Sequence, residues 1–159
     1  MQKTLKKNIP YYLFTAVFLL LDLFSKWLVK NHLDAPIELI PGILKIDLTY
    51  NPNIAFSIPI PGSLMTIVTP LIIIAIIFLI ARCCNLKHRI TKIALTLIIA
   101  GGLGNYINRL WTGSVIDFID FSFWPSFNLA DLYLTVGVFL LIAFYGRITI
   151  NHGTKPTYQ

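Results

Sequence analysis

Four apolar stretches, each close to the length that crosses a bilayer, leave this chain few ways to fold. They run over about residues 11–29, 64–81, 93–110 and 132–148. A hydrocarbon core about 30 Å thick takes roughly 20 helical residues, and a helix satisfies its own backbone polar groups there. Composition points the same way. Only 13% of the 159 residues are charged and 56% are hydrophobic, whereas a soluble domain carries about a quarter charged. The expected fold is an all-α membrane protein, a four-transmembrane-helix bundle with a small β-rich subdomain on the outer face between helices 1 and 2. The chain, residues 1–159, is expected to form a single domain. Pro70 falls inside the second span, where lipid tolerates a kink.

The charges orient the bundle. Lys3, Lys6 and Lys7 precede the first span, Arg82, Lys87, Arg89 and Lys92 join the second to the third, and Arg147 and Lys155 follow the fourth. These nine of the thirteen basic residues share one side with no acid among them. The positive-inside rule then puts both termini in the cytoplasm. The net charge of +6 is thus a topology signal, and nucleic acid is not an expected partner. No small-residue cleavage site follows the first apolar run, which is expected to stay as a retained helix rather than a signal peptide. Residues 30–63 lie on the outer side. Leu44 to Tyr50 alternates before the turn-forming Asn51-Pro52-Asn53, so a short strand or hairpin is expected there. Cys83 and Cys84 are adjacent, have no zinc-type spacing, and read as small apolar residues near a helix end.

Ionisable groups inside a span cost about 2.5–3.5 kcal/mol each on insertion scales and serve function or pairing. Asp22 and Lys26 share one face of helix 1 at i,i+4, acid first, the better order for a pair. A mutual ion pair and direct chemistry are both open, and a supporting role satisfies either. Helix 3 ends Gly101-Gly102-Leu103-Gly104-Asn105-Tyr106-Ile107-Asn108-Arg109. The glycines allow close helix approach, and taken alone Asn105 and Arg109 read as packing plus a snorkelling arginine. Asn128 and Asp131 taken alone read as an N-cap and its N3 acid. The chemical reading needs Asp117 and Asp131 brought together across the loop between helices 3 and 4. Facing carboxylates share a proton; the ionised one can activate water while the protonated one polarises a carbonyl. The three histidines, His32, His88 and His152, are scattered, so neither a serine–histidine pair nor a metal site is expected.

Five blocks occur in order: Asp22-x3-Lys26; Asn51-x3-Ala55-Phe56-Ser57; Gly101-Gly102-x-Gly104-Asn105-x3-Arg109; Gly113-x-Val115-Ile116-Asp117-Phe118-Ile119-Asp120-Phe121; and Phe127-Asn128-x-Ala130-Asp131. Together they resemble lipoprotein signal peptidase, or signal peptidase II, over nearly the whole chain. The resemblance implies an aspartic endopeptidase of the bacterial inner membrane that cuts a prolipoprotein before its diacylglyceryl-modified cysteine. By motif match Asp117 and Asp131 are the catalytic pair. Asn51, Asn105, Arg109 and Asn128 line the site, and Asp22 and Lys26 support it. It further implies no cofactor, contact with membrane lipids, a monomer, and inhibition by globomycin-type cyclic peptides. Apolar neighbours such as Phe118, Phe121 and Trp124 are expected to raise a carboxylate's pKa.

Three positions depart from the family pattern: Asn53-Ile54 where Gly-Ala is usual, Asn108 where Asp precedes the arginine, and Leu132 where a serine is frequent. Two other functions fit parts of the sequence. A relative that binds lipidated peptides without cutting would keep the same binding residues. A proton-coupled transporter would hold acids near the bilayer midplane, whereas Asp117, Asp120 and Asp131 cluster at one end of the spans.

Overall fold

The computed structural model describes residues 2–52 and 62–150. Five helices and four strands follow in the order α1 (Gln2–His32), β1 (Ile37–Ile40), β2 (Leu44–Asn51), α2 (Gly62–Cys83), α3 (Arg89–Thr112), β3 (Val115–Phe121), β4 (Trp124–Phe127), α4 (Leu129–Ala143) and α5 (Tyr145–Ile148). All four expected helices are present, and each exceeds its apolar stretch at its N-terminal end. The polar flanks continue the backbone ladder that the apolar residues begin, so α1 reaches 31 residues and takes in Pro10. Pro70 lies inside α2 without ending it. The fourth helix differs more. It starts three residues early, on the Asn128 cap, and breaks at Phe144 before the single turn of α5. Its 15 residues span about 22 Å. Among the described residues, three helices are long and apolar enough to cross a membrane, and Leu129–Ala143 is a shorter apolar one.

Helix α3 is the centre of the packing, touching α1, α2 and α4. Over half of its apolar window is buried, against 11% for α1 and 6% for α2, so those two present most of their apolar surface outward. Phe14, Leu20, Phe24, Ile67, Phe78 and Phe139 are among the exposed large residues, the reverse of a water-soluble pattern. The glycines of α3 let its neighbours approach. A Cβ on Gly101 would collide with the Ala130 carbonyl of α4, and one on Gly104 with the Asp22 carboxylate of α1. The two cysteines are free; Cys84 is packed with Ile80, Ile98 and Ile148 in the small core at the other end.

The sheet corrects the expected one. A hairpin does form from β1 and β2, with Ile37 opposite Ile46, but it is only half of an antiparallel sheet ordered β1-β2-β3-β4. The connection between α3 and α4, expected as a loop, supplies the other half. Here β2 pairs with β3 (Thr49 opposite Asp117, Asn51 opposite Val115), and β3 with β4 (Phe121 opposite Trp124). The run Val115–Phe121 has no clean two-residue alternation, because its first four residues are all buried. A strand covered on both faces loses the periodic signal. The Asn53 part of the expected turn and the 55–57 block lie outside the described residues.

Candidate active site

Five elements, α1, β2, α3, β3 and α4, meet where α3 ends and α4 begins, and polar side chains from each close into one network. Its base is the α1 pair. Lys26 Nζ lies 2.7 Å from Asp22 Oδ2, and both residues are almost wholly buried. The other Asp22 oxygen accepts the Ala130 backbone N–H at 2.9 Å, one of the donors that a helix N-terminus leaves unmatched. The α1 acid thus neutralises a lysine and caps part of α4. Lys26 also donates to Asn105 Oδ1 at 2.8 Å, and Asn105 Nδ2 donates to Asp131 Oδ1 at 2.8 Å.

Asn128 connects the two halves. It is the N-cap of α4 in a complete capping box: its Oδ1 accepts from Asp131 N at 3.1 Å, and its own N–H donates to Asp131 Oδ2 at 3.2 Å. Its Nδ2 reaches Asp117 Oδ1 at 2.7 Å, as well as Asn105 Oδ1 and the Ile116 carbonyl at 3.2 Å. The capping reading and the site reading of Asn128-x-x-Asp131 are therefore the same structure. The cap geometry aims the Asn128 amide at Asp117. From the sheet, Asn51 Nδ2 donates to Asp117 Oδ2 at 2.9 Å. Arg109, one turn beyond Asn105, lies within electrostatic reach of Asp131 and Asp117.

Asp117 is only 3% exposed. Burial pushes its carboxyl up to about 6, and the negative charge of Asp131 adds to the push. The amide donors of Asn51 and Asn128 oppose it by stabilising the charged form. Phe118 is buried beside it in β3, whereas Trp124 stands more than half exposed on β4 and is not part of that buried wall. Asp120, three residues on, faces the other way: it is partly exposed and 3.2 Å from Lys45 Nζ, as alternation along a strand requires. The pair Asp117 and Asp131, with Asn51, Asn105, Asn128, Asp22, Lys26 and Arg109, are thus brought to one place. No group of three or more His, Cys, Asp or Glu residues that could hold a metal occurs among the described residues.

The family model for signal peptidase (SPase) II matches residues 14–146. The chain belongs to the signal peptidase II family. It is 33% identical over 152 residues to a lipoprotein signal peptidase of Chlorobium phaeobacteroides, covering 86% of this chain and 96% of the relative. It is 36% identical over 140 residues to one of Halalkalibacterium halodurans, covering 82% and 88%. A solved bacterial membrane enzyme superposes with a TM-score of 0.76 at 28% identity, covering 94% of both chains.

The departures from the signal peptidase II pattern now have positions. Asn108, named in the sequence only as a missing charge, is buried and accepts the Ile116 N–H on Oδ1 at 2.6 Å. An amide oxygen serves there as a carboxylate oxygen would, and it pins the strand residue next to Asp117. The clue in the sequence was its place between Asn105 and Arg109, a polar run at a helix end. Leu132 is 40% exposed, while Asn53 and Ile54 lie outside the described residues. Asn108→Leu is expected to strand the buried Ile116 N–H and cost about 1–3 kcal/mol, whereas Asn108→Asp keeps the acceptor. Thermal unfolding in detergent separates them, and a Leu variant as stable as wild type would show that this bond does not hold β3.

Proposed function

We propose that this protein is the aspartic endopeptidase that removes signal peptides from prolipoproteins, cutting before the diacylglyceryl-modified cysteine, with Asp117 and Asp131 as the reacting pair. The observation that carries the reading is the placement of both carboxylates, Asp117 buried and Asp131 partly so, in one polar network linked through Asn128. Asp131 acts as the base. Both of its oxygens accept hydrogen bonds from N–H donors, so its charge is directed and it can take a proton from an attacking water. Asp117, with its carboxyl raised to about 6, supplies the shared proton to the carbonyl oxygen of the scissile bond. Water adds to the carbonyl carbon, the tetrahedral intermediate collapses as one of its hydroxyls returns a proton to Asp117, and the cysteine amine leaves with the proton that Asp131 had taken. Asn51, Asn105 and Asn128 orient the carboxylates, Arg109 lies over their combined charge, and Asp22 with Lys26 holds the floor.

In this reading α1 to α4 all cross a bacterial inner membrane, both termini lie in the cytoplasm as the one-sided basic residues support, and the dyad meets a lipid-anchored cleavage point at the outer face. The sheet β1–β4 shelters the peptide on that side, globomycin-type peptides compete for the same cleft, and a monomer holds every group needed.

Purified protein in detergent is expected to cleave a diacylglyceryl-modified prolipoprotein, read by gel shift, and to leave the unmodified precursor intact. Absence of cutting by folded protein that still binds the lipidated precursor would favour a non-cutting relative. The pH profile tests the shared proton. The dyad works with one proton, so kcat/KM falls as pH rises through about 6, where Asp117 loses it, by about tenfold per unit beyond that point. Bound substrate deepens burial, so the upper limb of kcat lies at higher pH than that of kcat/KM. A profile flat from pH 5 to 8 in both parameters would remove the shared-proton mechanism.

A further inference from the structure

The other end of α3 carries a cleft that the peptidase chemistry does not use. It lies between α1 and α3 and has a volume of about 480 Å³. The two helices run in the same direction: Lys92 donates to Asn8 at 2.7 Å, and Lys26, further along, donates to Asn105. Lys7 and Arg89 therefore stand at the same level, at the end of the cleft remote from the dyad, and Tyr11, Phe14, Phe18 and Leu97 follow along it. Among the described residues no carboxylate lines it, and neither Lys7 nor Arg89 forms an ion pair. Lys92 nearby is engaged, by Asn8 and by the face of Tyr11.

We propose that this cleft holds one anionic glycerophospholipid, with its phosphate between Lys7 and Arg89 and an acyl chain lying along α1 toward Phe18. Two cations without counter-ions, at the end of an otherwise apolar trough, match a molecule that is anionic at one end and apolar beyond it. Basic pockets between membrane helices hold anionic head groups on this principle, and a guanidinium suits phosphate through paired N–H donors. Length agrees as well. From Lys7 to Phe18 the helix rises about 16 Å, half of a hydrocarbon core about 30 Å thick, which is the depth of one leaflet. The lipid fills the gap that the α1–α3 contact leaves below the buried Asp22–Lys26 pair.

Native mass spectrometry of the purified full chain, titrated with phosphatidylglycerol or phosphatidylcholine in detergent, tests this inference without reference to cleavage. Wild type is expected to retain one phosphatidylglycerol per chain in preference to phosphatidylcholine. Lys7→Ala/Arg89→Ala is expected to bind it at least about tenfold more weakly, while Lys6→Ala/Lys87→Ala, which removes the same charge outside the cleft, keeps it. Ile93→Trp, which fills the trough and leaves both cations, is expected to lose retention too, so the result does not depend on one variant folding. Phosphatidylglycerol also raises the thermal midpoint of wild type but not of the cleft variants, because a ligand that binds only the folded state stabilises it. Equal weakening in both double variants would reduce the effect to general surface charge and overturn the proposal. So would undiminished retention by Lys7→Ala/Arg89→Ala.

Discussion

Asp117→Asn and Asp131→Asn are each expected to lower prolipoprotein cleavage by about 10³–10⁴-fold, the loss that follows removal of a positioned acid or base. In the proposed mechanism the two residues act through one shared proton, so the double variant is expected to lose no more than about what either single variant loses. The fold should survive. Asn at 117 can still accept from one of the two amides that now hold the carboxylate, Asn51 or Asn128. Asn at 131 keeps an oxygen for the Asn128 N–H and so retains part of the capping box. The measurement is single-turnover cleavage of a diacylglyceryl-modified precursor, with thermal unfolding of each variant as the control for folding. Additive losses would separate the two carboxylates into independent roles. Wild-type turnover by either folded variant would remove that residue from the chemistry.

Lys26→Met is expected to be the most destabilising single change in the helices. It leaves Asp22, 0% exposed, without its counter-ion, and removing one partner of a buried pair costs about 3–5 kcal/mol. It also takes away the ammonium that fixes the Asn105 amide, so the hydrogen bond from Asn105 to Asp131 loses its orientation. Asp22→Asn combined with Lys26→Met is expected to recover most of the stability. The Asn carbonyl can still accept the Ala130 N–H, and no unpaired charge remains. Unfolding in detergent gives both values. The double variant is expected to stay well below wild type in cleavage rate even where its stability is restored, because the Asn105 contact is still missing. A single variant as stable as wild type would show that water reaches Asp22 in place of the lysine.

The local patterns read best where a single segment carries the whole interaction. Asp22 and Lys26 meet at i,i+4 within α1, and Asn128 with Asp131 forms its box within one helical turn. The glycines of α3 read correctly as points of close approach, although which neighbour each admits could not be read locally. Misreadings arose where a partner is remote. Val115–Phe121 looks like a loop until β2 is placed against it, since its hydrogen bonds go to a strand about seventy residues away. Asn108 looked like a lost charge because its partner, the Ile116 N–H, becomes visible only when β3 folds back.

By itself the sequence determined the class of the protein, its apolar helices and the membership of its motifs in one family. These depend on composition and on spacings within a turn or two of helix, which survive in a linear reading. Tertiary structure alone decided that the sheet is shared between both connections. It also decided that Asp117 is buried, and that the α1 acid pairs with Lys26 and caps α4. The physical reason is separation along the chain. The bonds that hold the site span 66 residues from Asn51 to Asp117, 79 from Lys26 to Asn105 and 108 from Asp22 to Ala130. A carboxylate's environment is set by what packs around it, and here each neighbour comes from a different helix or strand.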